Sequence, residues 1–188
     1  MEKDTNNMRI KHTIDEIMNM EGHVELIDGE IVVRNYTSTN HNEIVTELVY
    51  SILNHIKKNN GKCKLFHEEV AIWFNKISGG NNYNFFLPDI MVICPPKEVT
   101  KYGAEVAPDL VIEVVSPNTR SYDYNQKRFM YKKIGVREYW IIDSERKTAI
   151  QHLIDEDDFD PHIYYNPKNI AMHIYGDELV LDVTAMFL

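Results

Sequence analysis

Apolar and polar residues alternate early in the chain in a pattern that predicts a β-hairpin. Val24–Ile27 and Glu30–Val33 are runs of β-prone residues, and Asp28-Gly29 joins them. An Asp-Gly pair between two such runs is a strong hairpin signal, because both residue types tolerate the backbone of a tight turn. A short helix over residues 13–20 is expected before the hairpin.

A pattern with the period of an α-helix follows the hairpin. Its apolar stripe consists of Val45, Leu48, Val49, Ile52 and Ile56. We expect this helix to begin at Asn40, with Glu43 three residues later completing a capping box. It should end near Lys58, because Asn59-Asn60-Gly61 follows.

The rest of the chain predicts strands and one further helix. Strands are expected over residues 63–74, 85–93, 110–115, 138–142 and 147–154, and one or two weaker strands end with 178–183. The helix is expected over residues 122–134, where Gly135 ends it. Two strands, 85–93 and 110–115, are almost continuously apolar, which is typical of strands covered on both faces. This order predicts an α/β or α+β fold, a mixed sheet flanked by helices, in one domain over residues 1–188.

Composition and charge restrict the possible functions. The chain has 20 basic and 29 acidic residues, a formal charge of −9, and 44% apolar residues. The apolar share excludes an intrinsically disordered protein. The negative charge argues against a broad DNA-coating surface but leaves room for a local basic patch. One such patch runs from Arg120 to Arg137, whereas residues 155–160 carry five acids, as expected for a solvated loop.

The cysteines and the hydropathy pattern give expectations about the compartment. Cys63 and Cys94 lie far apart without a CxxC or CxxH pattern, so we expect two reduced thiols rather than a disulfide or a zinc site. No apolar stretch approaches the roughly 20 residues of a membrane span, and residues 1–11 lack a signal-peptide core. A cytoplasmic protein without a membrane segment is therefore expected.

Two carboxylates interrupt the apolar strands. Asp89 lies within the run 85–93, and Glu113 lies within the run 110–115. An unpaired, ionised carboxylate in an apolar setting costs several kcal/mol even after relaxation, by order of magnitude. Two such residues on successive strands are therefore expected to share a cation or a basic partner.

Lys127 is a basic residue on the side of its helix that is expected to face the sheet. It lies three residues after Tyr124 and four before Tyr131, within the apolar stripe of the helix 122–134. Two acids and an inward lysine suit phosphodiester hydrolysis. Carboxylates bind Mg²⁺ or Mn²⁺, the metal activates water, and a lysine orients that water or stabilises the transition state. Alternatively, Asp89 caps a turn after Pro88, and Glu113 and Lys127 form a structural ion pair.

Motifs around these residues resemble a known nuclease signature. Pro88-Asp89 followed by Glu113-Val114-Val115 resembles the PD-(D/E)XK signature of restriction-endonuclease-like nucleases. Val115 stands where the signature has lysine. Some members of that superfamily move the lysine to the following helix, and Lys127 fits this variation.

A longer, ordered set of segments resembles the Uma-two family, which is classed as putative restriction endonucleases. The set extends over residues 14–155 and comprises segments 25–30, 88–90, 107–117, 119–123, 127–128 and 135–140. The resemblance implies a restriction-endonuclease-like fold, with Asp89 and Glu113 as metal ligands and the Val114 carbonyl as a third. It also implies a histidine near the site, and His41 is either such a residue or a packed or capping one.

Two further acids lie near the predicted site. Glu69 lies in the strand 63–74 and is a candidate for lining the cleft. Asp109 lies four residues before Glu113, about 13 Å along a strand, which is too far for both to bind one Mg²⁺. We therefore expect Asp109 to cap the start of its strand.

The sequence thus predicts a Mg²⁺- or Mn²⁺-dependent endonuclease that acts on DNA. Asp89, Glu113 and Lys127 would carry the chemistry, and Arg120 and Arg128 would contact the DNA backbone. A homodimer is expected, because symmetric cleavage of two strands needs two sites. The alternative is a catalytically inactive module that keeps the nuclease fold and binds nucleic acid or protein. An acyl-transfer hydrolase has no support, since there is no GxSxG motif.

Overall fold

The first part of the fold is a small sheet built on the predicted hairpin. The computed structural model describes residues 11–34, 37–79, 82–95, 97, 99–117, 119–155 and 160–187. Strand β1 (Val24–Ile27) pairs with β2 (Glu30–Val33), as predicted. Asp28 and Gly29 turn the chain with φ angles of 47° and 82°. The preceding helix α1 (Ile14–Ile17) is shorter than the prediction of 13–20.

Helix α2 (Thr39–Lys58) is the long predicted helix, but a different residue caps it. Ser38 is the N-cap, and its side chain accepts a hydrogen bond from the backbone of His41. The predicted capping box of Asn40 and Glu43 was therefore wrong. Asn40 instead donates its side-chain amide to the Ser144 hydroxyl at 3.1 Å. The predicted apolar stripe is buried, apart from Val49, which is partly buried.

Two of the predicted strands, 63–74 and 85–93, each divide between two sheets. The first gives β3 (Lys64–His67) and β4 (Ile72–Trp73), followed by α3 (Phe74–Ser78). The second gives β5 (Phe85–Phe86) and β6 (Ile90–Ile93). Strands β4 and β5 complete the small sheet, in the order β2-β1-β5-β4, whereas β3 and β6 join the larger one.

In the described part of the chain, the larger sheet has six strands. Its remaining strands are β7 (Leu110–Val114), β8 (Glu138–Asp143), β9 (Thr148–Leu153) and β10 (Pro161–Tyr165), in the order β10-β9-β8-β7-β6-β3. Within this sheet, β7 and β8 pair in parallel, because a helical crossover joins them. The crossover is a π-helical segment (Tyr122–Lys127) that continues into α4 (Arg128–Ile134) and ends at Gly135, whose φ is 88°.

Both faces of the six-stranded sheet are covered. Helix α2 and the hairpin of β11 (Asn169–Met172) and β12 (Leu179–Asp182) pack on one face, and α4 packs on the other. The buried carboxylate of Glu138 ties the C-terminal segment to the sheet. It accepts hydrogen bonds from the side chains of Trp140 and Gln151 and from the backbones of His173 and Ile174. The architecture is the predicted mixed α+β fold.

The structure corrects the prediction for the two cysteines. Cys63 and Cys94 form a disulfide, with Cα atoms 4.1 Å apart. Antiparallel pairing of β3 with β6 places Lys64 opposite Ile93, and so brings the cysteines next to each other although they are 31 residues apart. Sequence spacing alone cannot reveal this register. Because the two cysteines are oxidised, they no longer support the predicted cytoplasmic location. That location stays a prediction. Within the described ranges, every helix is too short or too polar to cross a bilayer.

Candidate active site

The two acids predicted from the apolar runs lie side by side. Asp89 immediately precedes β6, and Glu113 lies in β7; both side chains are buried. In the antiparallel pairing of these strands, Ile90 is opposite Ile112, which places Asp89 beside Glu113. The structure thus brings together the pair on which the predicted metal site depends.

A residue that the sequence analysis missed lies between these acids. Arg34 follows β2, and its Nη2 atom lies 2.5 Å from Asp89 Oδ1 and 3.9 Å from Glu113 Oε2. Its Nη1 atom donates a hydrogen bond to the Leu87 carbonyl at 2.5 Å. The guanidinium therefore sits where a cation shared by Asp89 and Glu113 is expected.

The surroundings of Asp89 favour its ionised form. Its Oδ2 atom accepts a hydrogen bond of 2.7 Å from the Val114 backbone N–H, and His41 Nε2 lies 3.5 Å from Oδ1. Burial acts to raise the pKa of Asp89, but the charge of Arg34 and the hydrogen bond from His41 outweigh it. The pKa of Asp89 is therefore held well below its usual range.

Lys127 faces inward, as its position in the helical stripe predicts. Its ammonium is fully buried and lies 3.0 Å from Glu113 Oε1, 3.2 Å from Glu25 Oε1 and 3.2 Å from Asp123 Oδ1. The Tyr131 hydroxyl donates a further hydrogen bond to Glu113 Oε1 at 2.7 Å. Burial acts to lower the pKa of Lys127, but the three carboxylates outweigh it and raise the pKa, so Lys127 stays charged.

Glu25 and Asp123 complete the cluster, and sequence reasoning did not assign them to the site. Both are buried, and Glu25 Oε1 also accepts a hydrogen bond from the Leu87 backbone at 2.8 Å. The sequence did contain a signal for each of these two residues. Glu25 interrupts an apolar strand as Asp89 and Glu113 do, and Asp123 lies one helical turn before Lys127.

The buried cluster carries more negative than positive charge. Among the described residues, its carboxylates are Glu25, Asp89, Glu113 and Asp123, and its permanent cations are Arg34 and Lys127. With all four carboxylates ionised, two negative charges are left without a matching cation among these residues. Burial, together with the charges of the neighbouring acids, raises the pKa of Glu113 to about 8, against the opposing effect of Lys127.

Two cavities meet at this cluster. One, of about 550 Å³, is bordered by Asp89 and by Glu69, and the other, of about 180 Å³, is bordered by Val114. Arg34 and His41 line both cavities. Glu69, the candidate for the cleft, does line the larger cavity, but from an exposed turn with a φ of 47° rather than from a strand.

Comparison with known proteins settles the family. A model of the Uma2 family, described as "Putative restriction endonuclease", matches residues 12–176. The chain belongs to the Uma2 family. The family that the sequence resembles is thereby confirmed.

Two curated relatives of this Uma2 protein come from Synechocystis sp. (strain ATCC 27184 / PCC 6803 / Kazusa). The uncharacterized protein slr1290 is 29% identical over 161 residues, which cover 85% of this chain and 81% of that protein. The uncharacterized protein sll1609 is 30% identical over 122 residues, which cover 63% of this chain and 65% of that protein.

A solved structure shares the fold of this Uma2 protein. It is the crystal structure of a putative nuclease belonging to DUF820 from Anabaena variabilis ATCC 29413. The two agree with a TM-score of 0.72 at 23% identity, over 93% of this chain and 97% of that one. The predicted restriction-endonuclease-like fold is confirmed.

The donor set of this Uma2 protein suits a divalent ion with oxygen ligands. In the described part of the chain, no group of three or more His, Cys, Asp or Glu side chains could hold a metal ion. The predicted set uses two such side chains, Asp89 and Glu113, with the Val114 carbonyl. This is compatible with Mg²⁺, which takes one or two carboxylates and fills its other positions with water and substrate oxygens. The guanidinium of Arg34 lies between these two carboxylates.

The basic residues predicted to contact DNA have protein partners. Arg120 pairs with Asp143 at 3.0 Å and with Glu145 at 2.6 Å, and Arg128 lies beside the Phe129 ring. Both contacts with DNA stay predictions. Asp109 lies outside the cluster, and its Oδ2 atom accepts a hydrogen bond from the Cys94 backbone at 2.8 Å.

Proposed function

We propose that this Uma2 protein is a Mg²⁺- or Mn²⁺-dependent endonuclease that hydrolyses phosphodiester bonds in DNA. The observation that carries the proposal is the buried, negatively charged cluster around Asp89 and Glu113, which borders an open cavity. Once Glu113 has lost its proton and all four carboxylates are ionised, a divalent ion would supply the two positive charges that the described residues of the cluster lack. Membership of a family of putative restriction endonucleases supports the nuclease chemistry.

In this proposal, Asp89 and Glu113 hold the metal together with the Val114 carbonyl. Mg²⁺ bound there would lower the pKa of water and offset negative charge on the scissile phosphate. Asp89 is ready for this role because its pKa is already low. Glu113 must lose the proton that its raised pKa favours, so metal uptake and proton release are coupled.

In the proposed mechanism, Lys127 holds the side chain of Glu113 in place. Because its raised pKa keeps it protonated, Lys127 does not serve as a general base. Its ammonium and the Tyr131 hydroxyl both bind Oε1 of Glu113, which leaves Oε2 of that carboxylate on the side of Arg34. Lys127 is therefore a positioning residue that fixes the orientation of Glu113.

Cleavage assays with matched variants test the proposal. The purified protein is incubated with plasmid and oligonucleotide DNA in the presence of Mg²⁺, Mn²⁺ or EDTA. Separately, analytical ultracentrifugation tests whether the protein is the expected homodimer. We expect metal-dependent cleavage that Asp89→Asn and Glu113→Gln abolish. Glu47→Gln, an exposed carboxylate on α2, is the control and should cleave at the original rate. Cleavage that persists in EDTA, or in both site variants, would contradict the proposal.

The second candidate is a catalytically inactive module that binds nucleic acid or protein. Arg34 favours it, because its guanidinium already neutralises Asp89 and lies near Glu113. Calorimetry with Mn²⁺ separates the two candidates. An inactive module would take up no Mn²⁺, whereas the proposed nuclease takes up the ion in the wild type and not in Asp89→Asn.

A further inference from the structure

Arg34 reaches the site from the small sheet, whereas the two acids are carried by the large sheet. Its backbone N–H donates to the His23 carbonyl at 2.8 Å, which fixes the start of the side chain beside β1. The guanidinium then extends to Asp89 and, through Nε, to within 3.9 Å of Glu25 Oε2. One side chain therefore spans the junction between the two sheets.

The contacts of this guanidinium involve the same oxygen atoms that a metal would need. Nη2 lies against Asp89 Oδ1 and faces Glu113 Oε2, and those carboxylates are the proposed metal ligands. A divalent ion and a guanidinium cannot occupy this space together, because they would overlap and because like charges a few ångströms apart repel strongly. Either the arginine or the metal can hold Asp89 at one time.

We propose that Arg34 is the resident cation of this site, and that a divalent ion must displace its guanidinium from Asp89 in order to bind. This inference rests on the metal site of the proposed function. The side chain has space for the movement, because it forms part of the wall of both cavities and is 16% exposed. Its other hydrogen-bond partner is the neutral Leu87 carbonyl, and the carboxylates of Glu25 and Glu113 lie farther away, each at 3.9 Å.

Calorimetric titration with Mn²⁺ tests the competition directly. We compare the metal-stripped wild type with Arg34→Gln and with the control Arg146→Gln, which removes an exposed guanidinium 3.9 Å from the buried Asp143. Removing the competing cation should make Mn²⁺ binding tighter by about tenfold or more. The control should bind Mn²⁺ as the wild type does. Equal or weaker binding by Arg34→Gln would overturn the inference.

Nuclear magnetic resonance of the wild type covers the case in which Arg34→Gln fails to fold. The Nε–Hε resonance of Arg34 is assigned from its loss in Arg34→Lys, which keeps the charge. This resonance should shift on saturation with Mg²⁺, while that of Arg146 stays in place. An unchanged Arg34 resonance at saturation would overturn the inference.

The outcomes also separate this inference from the proposed function. If Mn²⁺ binds and cleavage requires it, but Arg34→Gln has no effect on affinity, the function stands and the displacement is refuted. If neither the wild type nor Arg34→Gln binds Mn²⁺, both are refuted. Tighter Mn²⁺ binding by Arg34→Gln, with cleavage that needs no metal, would uphold the displacement and refute the proposed reaction.

Discussion

The Nζ atom of Lys127 lies 3.0 Å from Oε1 of Glu113, although the two residues are 14 positions apart and belong to different elements. In the signature that this chain resembles, the lysine stands two positions after the acid, where this chain has Val115. The crossover helix returns along the sheet after β7 and brings a lysine to the same carboxylate. The helical crossover therefore brings Lys127 to Glu113 although the spacing in the sequence differs from the signature.

Replacing Lys127 should destabilise the protein strongly. Lys127→Met leaves three buried carboxylates without their shared ammonium, and breaking a buried ion pair in this way costs about 3–5 kcal/mol. Urea unfolding followed by circular dichroism measures the loss. The control Lys133→Met, exposed on the same helix, should change the unfolding free energy by less than about 0.5 kcal/mol. Similar losses for both variants would contradict the buried network.

The stability of the metal-free protein should fall as the pH rises from 5 to 8. The ordinary pKa of Glu113 is 4.5, and in the folded protein it rises to about 8. Between these values the folded state holds a proton that the unfolded state releases, so raising the pH favours unfolding, by a few kcal/mol in order of magnitude. Asp89 acts in the opposite direction, but only below its ordinary pKa of 3.8.

Unfolding in urea with EDTA at several pH values measures this dependence. Glu113→Gln does not titrate, so its stability should change less between pH 5 and pH 8 than that of the wild type. Wild-type stability that rises over this range would contradict the raised pKa.

Glu138, a buried acid outside the cluster, should matter for stability without affecting metal uptake. In Glu138→Gln, one of the two oxygens that accept four hydrogen bonds becomes an amide nitrogen, which faces N–H donors. The loss should be roughly 2–3 kcal/mol, since a buried donor is then left unsatisfied. Urea unfolding and Mn²⁺ calorimetry on the same variant check both statements. A change in Mn²⁺ affinity would show that Glu138 is coupled to the site.

The disulfide between Cys63 and Cys94 should stabilise the fold by about 4 kcal/mol, because it closes a loop of 31 residues in the unfolded chain. Unfolding with and without a reducing agent measures the difference. The double variant Cys63→Ala with Cys94→Ala should match the reduced protein. Thiol titration of the denatured, unreduced protein should find no free thiols, and two free thiols would contradict the disulfide.

The features that could be predicted from the sequence are those that depend on neighbouring residues. Asp28-Gly29 gave the hairpin because a tight turn is decided locally. The stripe of α2 and the inward position of Lys127 followed from the helical period. The acids Asp89 and Glu113 were found because each interrupts an apolar run.

The features that could not be predicted depend on segments that meet only in the fold. The segments 63–74 and 85–93 each pass from one sheet to the other, and the strands that they join are decided by pairing with distant parts of the chain. Arg34 follows an exposed strand end and gives no sign that it reaches Asp89. The contact of Cys63 with Cys94 depends on the register of β3 against β6.

The most direct test of this account is a crystal of the protein soaked in Mn²⁺ and measured for anomalous scattering. The account predicts a peak that contacts both Asp89 and Glu113, with the guanidinium of Arg34 moved away from Asp89. No peak between the two carboxylates at saturating Mn²⁺, with Arg34 still bound to Asp89, would contradict it.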